Sequence, residues 1–244
     1  MRKLALTLML ACLLAPASSR AQNAYITNAS SATVSVIDTT MDAVIATIPV
    51  GLAPEGVAVS PDGRKVYVAN VGVSTVSVID TATNTVSATI PLSLFSSPTG
   101  VAVSPDASKV YVKNSVFGTV SVIDTATNTV SATIPVGNVP VGVAVSPDGS
   151  KVYVANSSSN TVSVINTATN TVSATIPVGS EPFAFGIFIQ PAPRFAGVAG
   201  SSNCHGTSVS ALATKFGDLD AAAAALRFST VQGLQDAIRA FCEG

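Results

Sequence analysis

The string TVSVIDTATNTVSATIP occupies residues 75–91 and recurs unchanged at 119–135. It returns at 161–177 with Asn166 in place of the aspartate, and in a diverged form, TVSVIDTTMDAVIATIP, at 33–49. Its apolar period is two: Val76 and Val78 alternate with Thr75, Ser77 and Ile79, the signature of a short β-branched strand. Apolar or small residues on both faces are what sheets stacked upon sheets require. Between the two strands of the string, Asp80-Thr81-Ala82-Thr83-Asn84 reads as a hairpin loop in which Asn84 can take the left-handed conformation.

Upstream of each copy lies an aromatic strand: AYITN at 24–28, KVYVAN at 65–70, KVYVKN at 109–114 and KVYVAN at 151–156. The tyrosines Tyr25, Tyr67, Tyr111 and Tyr153 are 42, 44 and 42 residues apart, a period that points to propeller blades or a solenoid. A further element, GVAVSPDG, stands at 56–63 and 142–149, and as GVAVSPDAS at 100–108. Its Ser-Pro-Asp-Gly segment reads as a turn: proline at the second position, aspartate accepting a local backbone bond, glycine where φ must be positive. Each repeat thus holds four strands in the order GVAVS, KVYVAN, TVSVID, TVSATIP, which is a propeller blade. The first blade lacks its GVAVS strand, and PFAFGIFIQP at 182–191 resembles it, with Gly186 in the place of Gly142. The expectation is an all-β propeller of four four-stranded blades whose last strand pairs with the first blade and leaves no open edge.

The segments YITN, YVAN, YVKN and YVAN, with SPDG and the NTVSVID–ATNTV hairpin, resemble the YVTN β-propeller repeat family of archaeal surface-layer proteins and many exported bacterial proteins. The resemblance covers about residues 24–191. Propellers of the family usually carry about seven blades. Two arrangements therefore stay open: a monomeric ring closed by the C-terminal strand, or a homodimer in which two chains share an eight-bladed ring. The resemblance implies a surface or envelope role. Relatives in the wider propeller group hydrolyse lactones or hold a haem or quinone on the propeller axis, which implies an alternative enzymatic or redox reading.

The first 21 residues have the three parts of a secretory signal: Arg2 and Lys3, an apolar run at 4–15 that is short for a membrane span, and Ser19-Arg20-Ala21 before a cut between Ala21 and Gln22. Cys12 raises a lipoprotein signal as an alternative, although Met9-Leu10-Ala11 before it matches the small-residue box poorly. The expected domains are a signal peptide (1–21), the propeller (22–193), a Gly/Ser linker (194–203) and a small helical module (204–244). Cleavage leaves Cys204 and Cys242, an even count that favours one disulfide in an oxidising compartment. The expected localisation is secreted or periplasmic, with no membrane span in the mature chain. In the tail, helices are expected at 208–216, ended by Gly217, and at 220–228. A third opens on a Ser229…Gln232 capping box, with Val231, Leu234, Ile238 and Phe241 on one face. The tail resembles a Cys-His-Gly…Ala-rich…Phe-Cys module at the end of other exported bacterial proteins, and that resemblance implies no activity.

Charged residues make up 10% of the chain and the hydrophobic class 48%, against disorder; a formal charge of −1 excludes the basic field of a nucleic-acid binder. Asn203-Cys204-His205-Gly206 lacks the first cysteine of a haem-attachment motif, and with the cysteines paired it supplies neither a nucleophile nor a zinc set. The recurring Asp38, Asp80 and Asp124, and Asp62, Asp106 and Asp148, read as turn stabilisers, with calcium in one of the loops as the alternative. Arg64, Lys65, Lys109 and Lys151 read as solvated strand starts that discourage edge pairing. Glu55, Lys113 and Glu181 break the repeat without forming a recognisable set. No catalytic, cofactor-binding or metal-ligating residue is assigned and no cofactor is expected. The reading is an exported scaffold or binding protein whose partner is a protein or another cell-surface component.

Overall fold

The computed structural model describes residues 22–184, 186, 188–189, 204, 208–209, 212, 215–216, 219–226 and 228–243. The chain divides into two compact units between Ile189 and Gln190. The expected signal segment with the expected cleavage position at Ala21, the expected linker, His205 and Gly217 lie outside the described residues.

The repeats form four antiparallel sheets, each meandering outward in chain order. The first holds β1 (Asn23–Asn28), β2 (Thr33–Asp38) and β3 (Ala43–Pro49). The second holds β4 (Pro54–Val59), β5 (Lys65–Asn70), β6 (Thr75–Asp80) and β7 (Thr85–Pro91). The third holds β8 (Pro98–Val103), β9 (Lys109–Asn114), β10 (Thr119–Asp124) and β11 (Thr129–Pro135). The fourth holds β12 (Pro140–Val145), β13 (Lys151–Asn156), β14 (Thr161–Asn166) and β15 (Thr171–Pro177). Each expected hairpin is present, with Asn84, Asn128 and Asn170 left-handed. Register slips by one residue between Val78 and Ile79, and at the matching Val122/Ile123 and Val164/Ile165. The serine hydroxyls of Ser87, Ser131 and Ser173 fill these bulges by donating to the carbonyls of Val78, Val122 and Val164. The asparagine that ends each aromatic strand ties it to the next. Asn70 Nδ2 donates to Thr75 Oγ1 and Ser77 Oγ at 3.0 and 2.9 Å, and Asn28, Asn114 and Asn156 repeat the arrangement.

Successive sheets pack face to face, and each interface is the same contact. Tyr25 packs on Val66, Val68 and Ile79 of the second blade, and Tyr67 on Val110, Val112 and Ile123 of the third. Tyr111 packs on Val152, Val154 and Ile165 of the fourth. These valines and isoleucines are fully buried, each contributing roughly 1.5–3 kcal/mol of hydrophobic stabilisation. Near the axis β1 packs on β4, β4 on β8 and β8 on β12.

The closing strand expected at 182–191 is not formed among the described residues: Pro182, Phe183 and Ala184 lie outside any strand, and the first sheet keeps three strands. The segment nonetheless lies against β12, since a Cβ at Gly142 would meet the Ala184 oxygen at 2.5 Å, much as one at Gly56 would meet Gly100 Cα at 2.9 Å. Ala184, not Gly186, therefore stands in register with Gly142; the motif spacing Pro140-x-Gly142 and Pro182-x-Ala184 agrees. No comparable packing joins the fourth blade to the first among the described residues. Both terminal blades show it. Ile176 is 44% exposed where its counterparts Ile48, Ile90 and Ile134 are 3% or less, and Ile26 is 49% exposed where Val68, Val112 and Val154 are at 0%. Among the described residues the four blades make three such interfaces.

In the second unit, described residues 204, 208–209, 212 and 215–216 are helical, followed by α1 (Leu219–Ala225) and α2 (Val231–Glu243). Leu234 and Ile238 of α2 bury against Leu212, Ala222 and Ala223, with Val231 at the edge, whereas Phe241 stays 36% exposed. The cap falls one residue later than the capping-box reading: Thr230 Oγ1 accepts from the Gly233 amide at 3.1 Å, while the Gln232 amide group turns to Asp236. Cys204 and Cys242 are joined by a disulfide with their Cα atoms 5.6 Å apart, fastening the first described helical residue to the last turn of α2. No helix among the described residues is long and apolar enough to cross a membrane.

Candidate functional site

The polar groups that recur on every blade are engaged within their own turns. Ser60 Oγ donates to Asp62 Oδ1 at 2.6 Å and accepts from the Lys65 amide at 3.0 Å, and Asp62 also accepts from the Arg64 amide. Asp106 and Asp148 repeat this and add the hydroxyls of Ser108 and Ser150. Serine hydroxyl donation, seconded by these other donors, holds both carboxyls down at about 2. In the hairpin loop, Asp80 Oδ1 accepts from the Thr83 and Ala82 amides, which lower its proton affinity; Asp124 is lowered chiefly by the Lys109 ammonium, 2.8 Å away, and then by the Thr127 and Ala126 amides. Asp38 is likewise lowered by donation from Thr40. Asn166 Oδ1 accepts the corresponding amides of Ala168 and Thr169. A neutral oxygen does the same work, so the fourth blade needs no charge there. Among the described residues no three His, Cys, Asp or Glu side chains converge as a metal-binding set. Lys65 reaches the Thr125 carbonyl of the next blade at 3.4 Å, and Arg64 lies 3.9 Å from Asp62.

The residues that break the repeat behave differently. The inner strands β4, β8 and β12, with Ala184 and Gly186 beyond them, line a groove of about 720 Å³. Glu55 and Lys113 both face it; Glu181 does not, its backbone amide donating instead to Asn160 Oδ1 at 2.8 Å. Lys113 occupies the position held by Thr27, Ala69 and Ala155 in the other blades. The strand alternation that buries Tyr111 points Lys113 across its neighbour, over Gly100. A Cβ at Gly100 would lie 2.5 Å from Lys113 Cε, so glycine there is the channel through which the side chain reaches the groove.

Lys113 is 7% exposed. Its Nζ donates to Thr99 Oγ1 and, at 3.3 Å, to the Pro140 carbonyl of the next blade. Ser115 Oγ stands 2.8 Å from Thr99 Oγ1 and also donates to that carbonyl. Burial lowers the ammonium to about 8, against the opposing pull of the Glu55 carboxylate. Among the described residues no carboxylate oxygen lies within 4.0 Å of Nζ. An ammonium thus lines a largely apolar groove with two of its three protons engaged and no direct counter-ion. The walls are Val57, Val101 and Val143.

Glu55, Thr99, Val141 and Phe183 are the same position of successive repeats, the x of Pro-x-Gly or Pro-x-Ala. Glu55 and Lys113 come from strands 58 residues apart, and the sequence reading singled out both without placing them in one groove. Thr99 and Ser115 were missed altogether. Aligning the repeats position by position would have shown that the inner ends of successive blades carry different side chains while the outer turns carry the same ones.

Residues 88–195 match the YNCE-like β-propeller family, a YVTN-type propeller repeat family. No curated protein matches the chain. Among solved structures, hydrazine synthase of Kuenenia stuttgartiensis superposes with a TM-score of 0.59 at 28% identity, covering 63% of this chain and 45% of that one. A functionally unknown protein from Desulfotomaculum acetoxidans DSM 771 gives 0.57 at 20% identity, over 66% of this chain and 54% of that one. The dihydro-haem d1 dehydrogenase NirN gives 0.54 at 23% identity, over 64% and 35%. The chain spans about half or less of each of these proteins, and the last two likenesses show the fold alone.

Proposed function

We propose that this YVTN-type propeller is an exported binding protein of the cell envelope that holds its ligand in the groove along its inner strands and does not transform it. The observation that carries the reading is the contrast between rim and groove. The repeated acidic turns are satisfied by their own amides and hydroxyls, whereas Glu55 and the buried Lys113 face a concave, mostly apolar groove. Such a groove with a few polar groups is the usual form of a ligand site. Export rests on the charged, apolar and small-residue segments of 1–21. A second copy of the chain is proposed to complete the ring, with Tyr153 and Ile176 at one end of the arc meeting Ile26 of the other copy. The outer face is left to a protein or other envelope component.

The test is a native mass spectrum of the mature protein purified from its host, beside a Val141→Trp variant. Position 141 faces the groove where the other blades carry glutamate or threonine, so the fold tolerates change there. A chain beginning at Gln22 with a bound small molecule that the variant lacks is the expected result. Equal retention by both proteins would overturn the groove as the site.

The likeness to hydrazine synthase at 28% identity favours one second reading, a propeller enzyme or redox protein with chemistry on the axis. A visible absorption band or a covalent adduct on the host-purified protein would favour it over simple binding.

A further inference from the structure

Glu55 and Lys113 are opposite charges in one groove that do not pair with each other. No Glu55 oxygen lies within 4.0 Å of Lys113 Nζ. Thr99 and the Pro140 carbonyl take two ammonium protons, and among the described residues no carboxylate oxygen lies within 4.0 Å to take the third. A bare anion on Lys113 would meet the Glu55 carboxylate across the groove, and a bare cation on Glu55 would meet the Lys113 ammonium. Burying an ammonium without a counter-ion is costly, and here the cost is borne at a position where Ala69 and Ala155 serve the sister blades. The walls beside the two charges include Val57, Val101 and Val143.

We infer that the groove binds a small zwitterion with an apolar body, an α-amino acid of the leucine type. Its carboxylate sits on Lys113 Nζ, its ammonium on Glu55, and its side chain lies along Val57, Val101 and Val143. Each end of such a ligand neutralises one wall charge, and neither end faces a like charge. The groove volume of about 720 Å³ leaves room for it. The inference rests on the groove being the binding site.

Calorimetric titration of the mature full chain with L-leucine, 4-methylpentanoate and 3-methylbutylamine tests it. The three probes share an apolar body and differ in charge. Leucine binds at least ten-fold more tightly than either analogue. Lys113→Met and Glu55→Gln each weaken leucine at least ten-fold. Residual 4-methylpentanoate binding weakens in Lys113→Met and strengthens in Glu55→Gln, which removes the like charge across the groove. Circular dichroism checks that the variants fold, and Lys113→Ala, the residue of the sister blades, serves as a second variant. If 4-methylpentanoate binds as tightly as leucine and Glu55→Gln changes nothing, the site takes a simple anion; the zwitterion inference fails while the groove reading stands. If none of the three probes binds, the inference fails again. The groove reading falls separately, when the Val141→Trp protein keeps its host ligand.

Discussion

At the scale of single residues, two positions depart from the blade consensus at a cost, and both are testable. Ala107 stands where Gly63 and Gly149 occupy the other Ser-Pro-Asp turns, and it holds φ at 59° against 71° and 73°. A left-handed Cβ costs about 1 kcal/mol. Ala107→Gly therefore stabilises the propeller by ~1 kcal/mol, read as a shift of the urea midpoint at unchanged slope. Lys113 departs the other way, from alanine to a buried cation. Its ammonium is held at about 8 in the fold against 10.5 in the unfolded chain. Below pH 8 both states are charged and the full desolvation penalty weighs on the fold; between pH 8 and 10.5 the folded lysine is neutral and the penalty is relieved. Lys113→Met is thus more stable than the wild type by ~1 kcal/mol at pH 7. The gap closes as melts are taken from pH 8 towards 10.5. A gap that does not move with pH would remove the burial explanation.

At the scale of elements, the turns set the acid limit. Asp106 and Asp148 titrate at about 2 in the fold against 3.8 in the free side chain, and Asp38, Asp62, Asp80 and Asp124 are lowered in the same sense. Folded values below unfolded ones give stability that is complete above pH 3.8 and is lost as pH falls towards 2. Melting temperatures fall over that window, and they fall less in Asp80→Asn, because an amide oxygen accepts the same pair of loop amides, as Asn166 already does. The strands and these turns were legible in sequence because their causes are local: a period of two, Ser-Pro-Asp-Gly, and an asparagine able to turn left-handed. Residues 182–191 were not. They carry an apolar run that reads as a strand, yet Pro182–Ala184 lie outside any strand while Ala184 stands against Gly142 of β12. Whether such a run completes a sheet depends on a partner edge that local pattern does not specify. The Ser229 cap missed by one residue for a similar reason, since Ser229 and Thr230 are equally good caps and packing of Val231 decides between them.

At the scale of the whole molecule, ring closure is the open matter. Sequence supplied the number of blades but not the angle between them, which depends on how far each tyrosine sinks into its neighbour. Three interfaces bury Tyr25, Tyr67 and Tyr111 to 8% exposure or less; Tyr153, the fourth, is only half-covered. Half-buried Tyr153 and exposed Ile176 at one end, and exposed Ile26 at the other, are complementary by the same rule that joins neighbouring blades. Two copies meeting head to tail, twice, close into eight blades. Sedimentation velocity of the mature chain shows a dimer at micromolar concentration, and Tyr153→Asp dissociates it to a folded monomer. A wild-type chain that sediments as a monomer at every concentration excludes the shared ring. The groove was less legible than the fold because Glu55 and Lys113 are neighbours only through blade packing.

The sameness of the three interfaces has one more consequence. A tyrosine that meets the same valines at every junction makes each blade interchangeable with the next, and two seventeen-residue strings of identical sequence are natural points for unequal recombination in the gene. Gain or loss of the 44-residue unit between them would need no new contact to fold, so lineages carrying three or five blades are accessible in a single step. What such a step disturbs is not stability but symmetry. An arc of five blades would not close the proposed eight-bladed ring with a copy of itself, and the groove built from unlike inner residues shifts its charges by one blade.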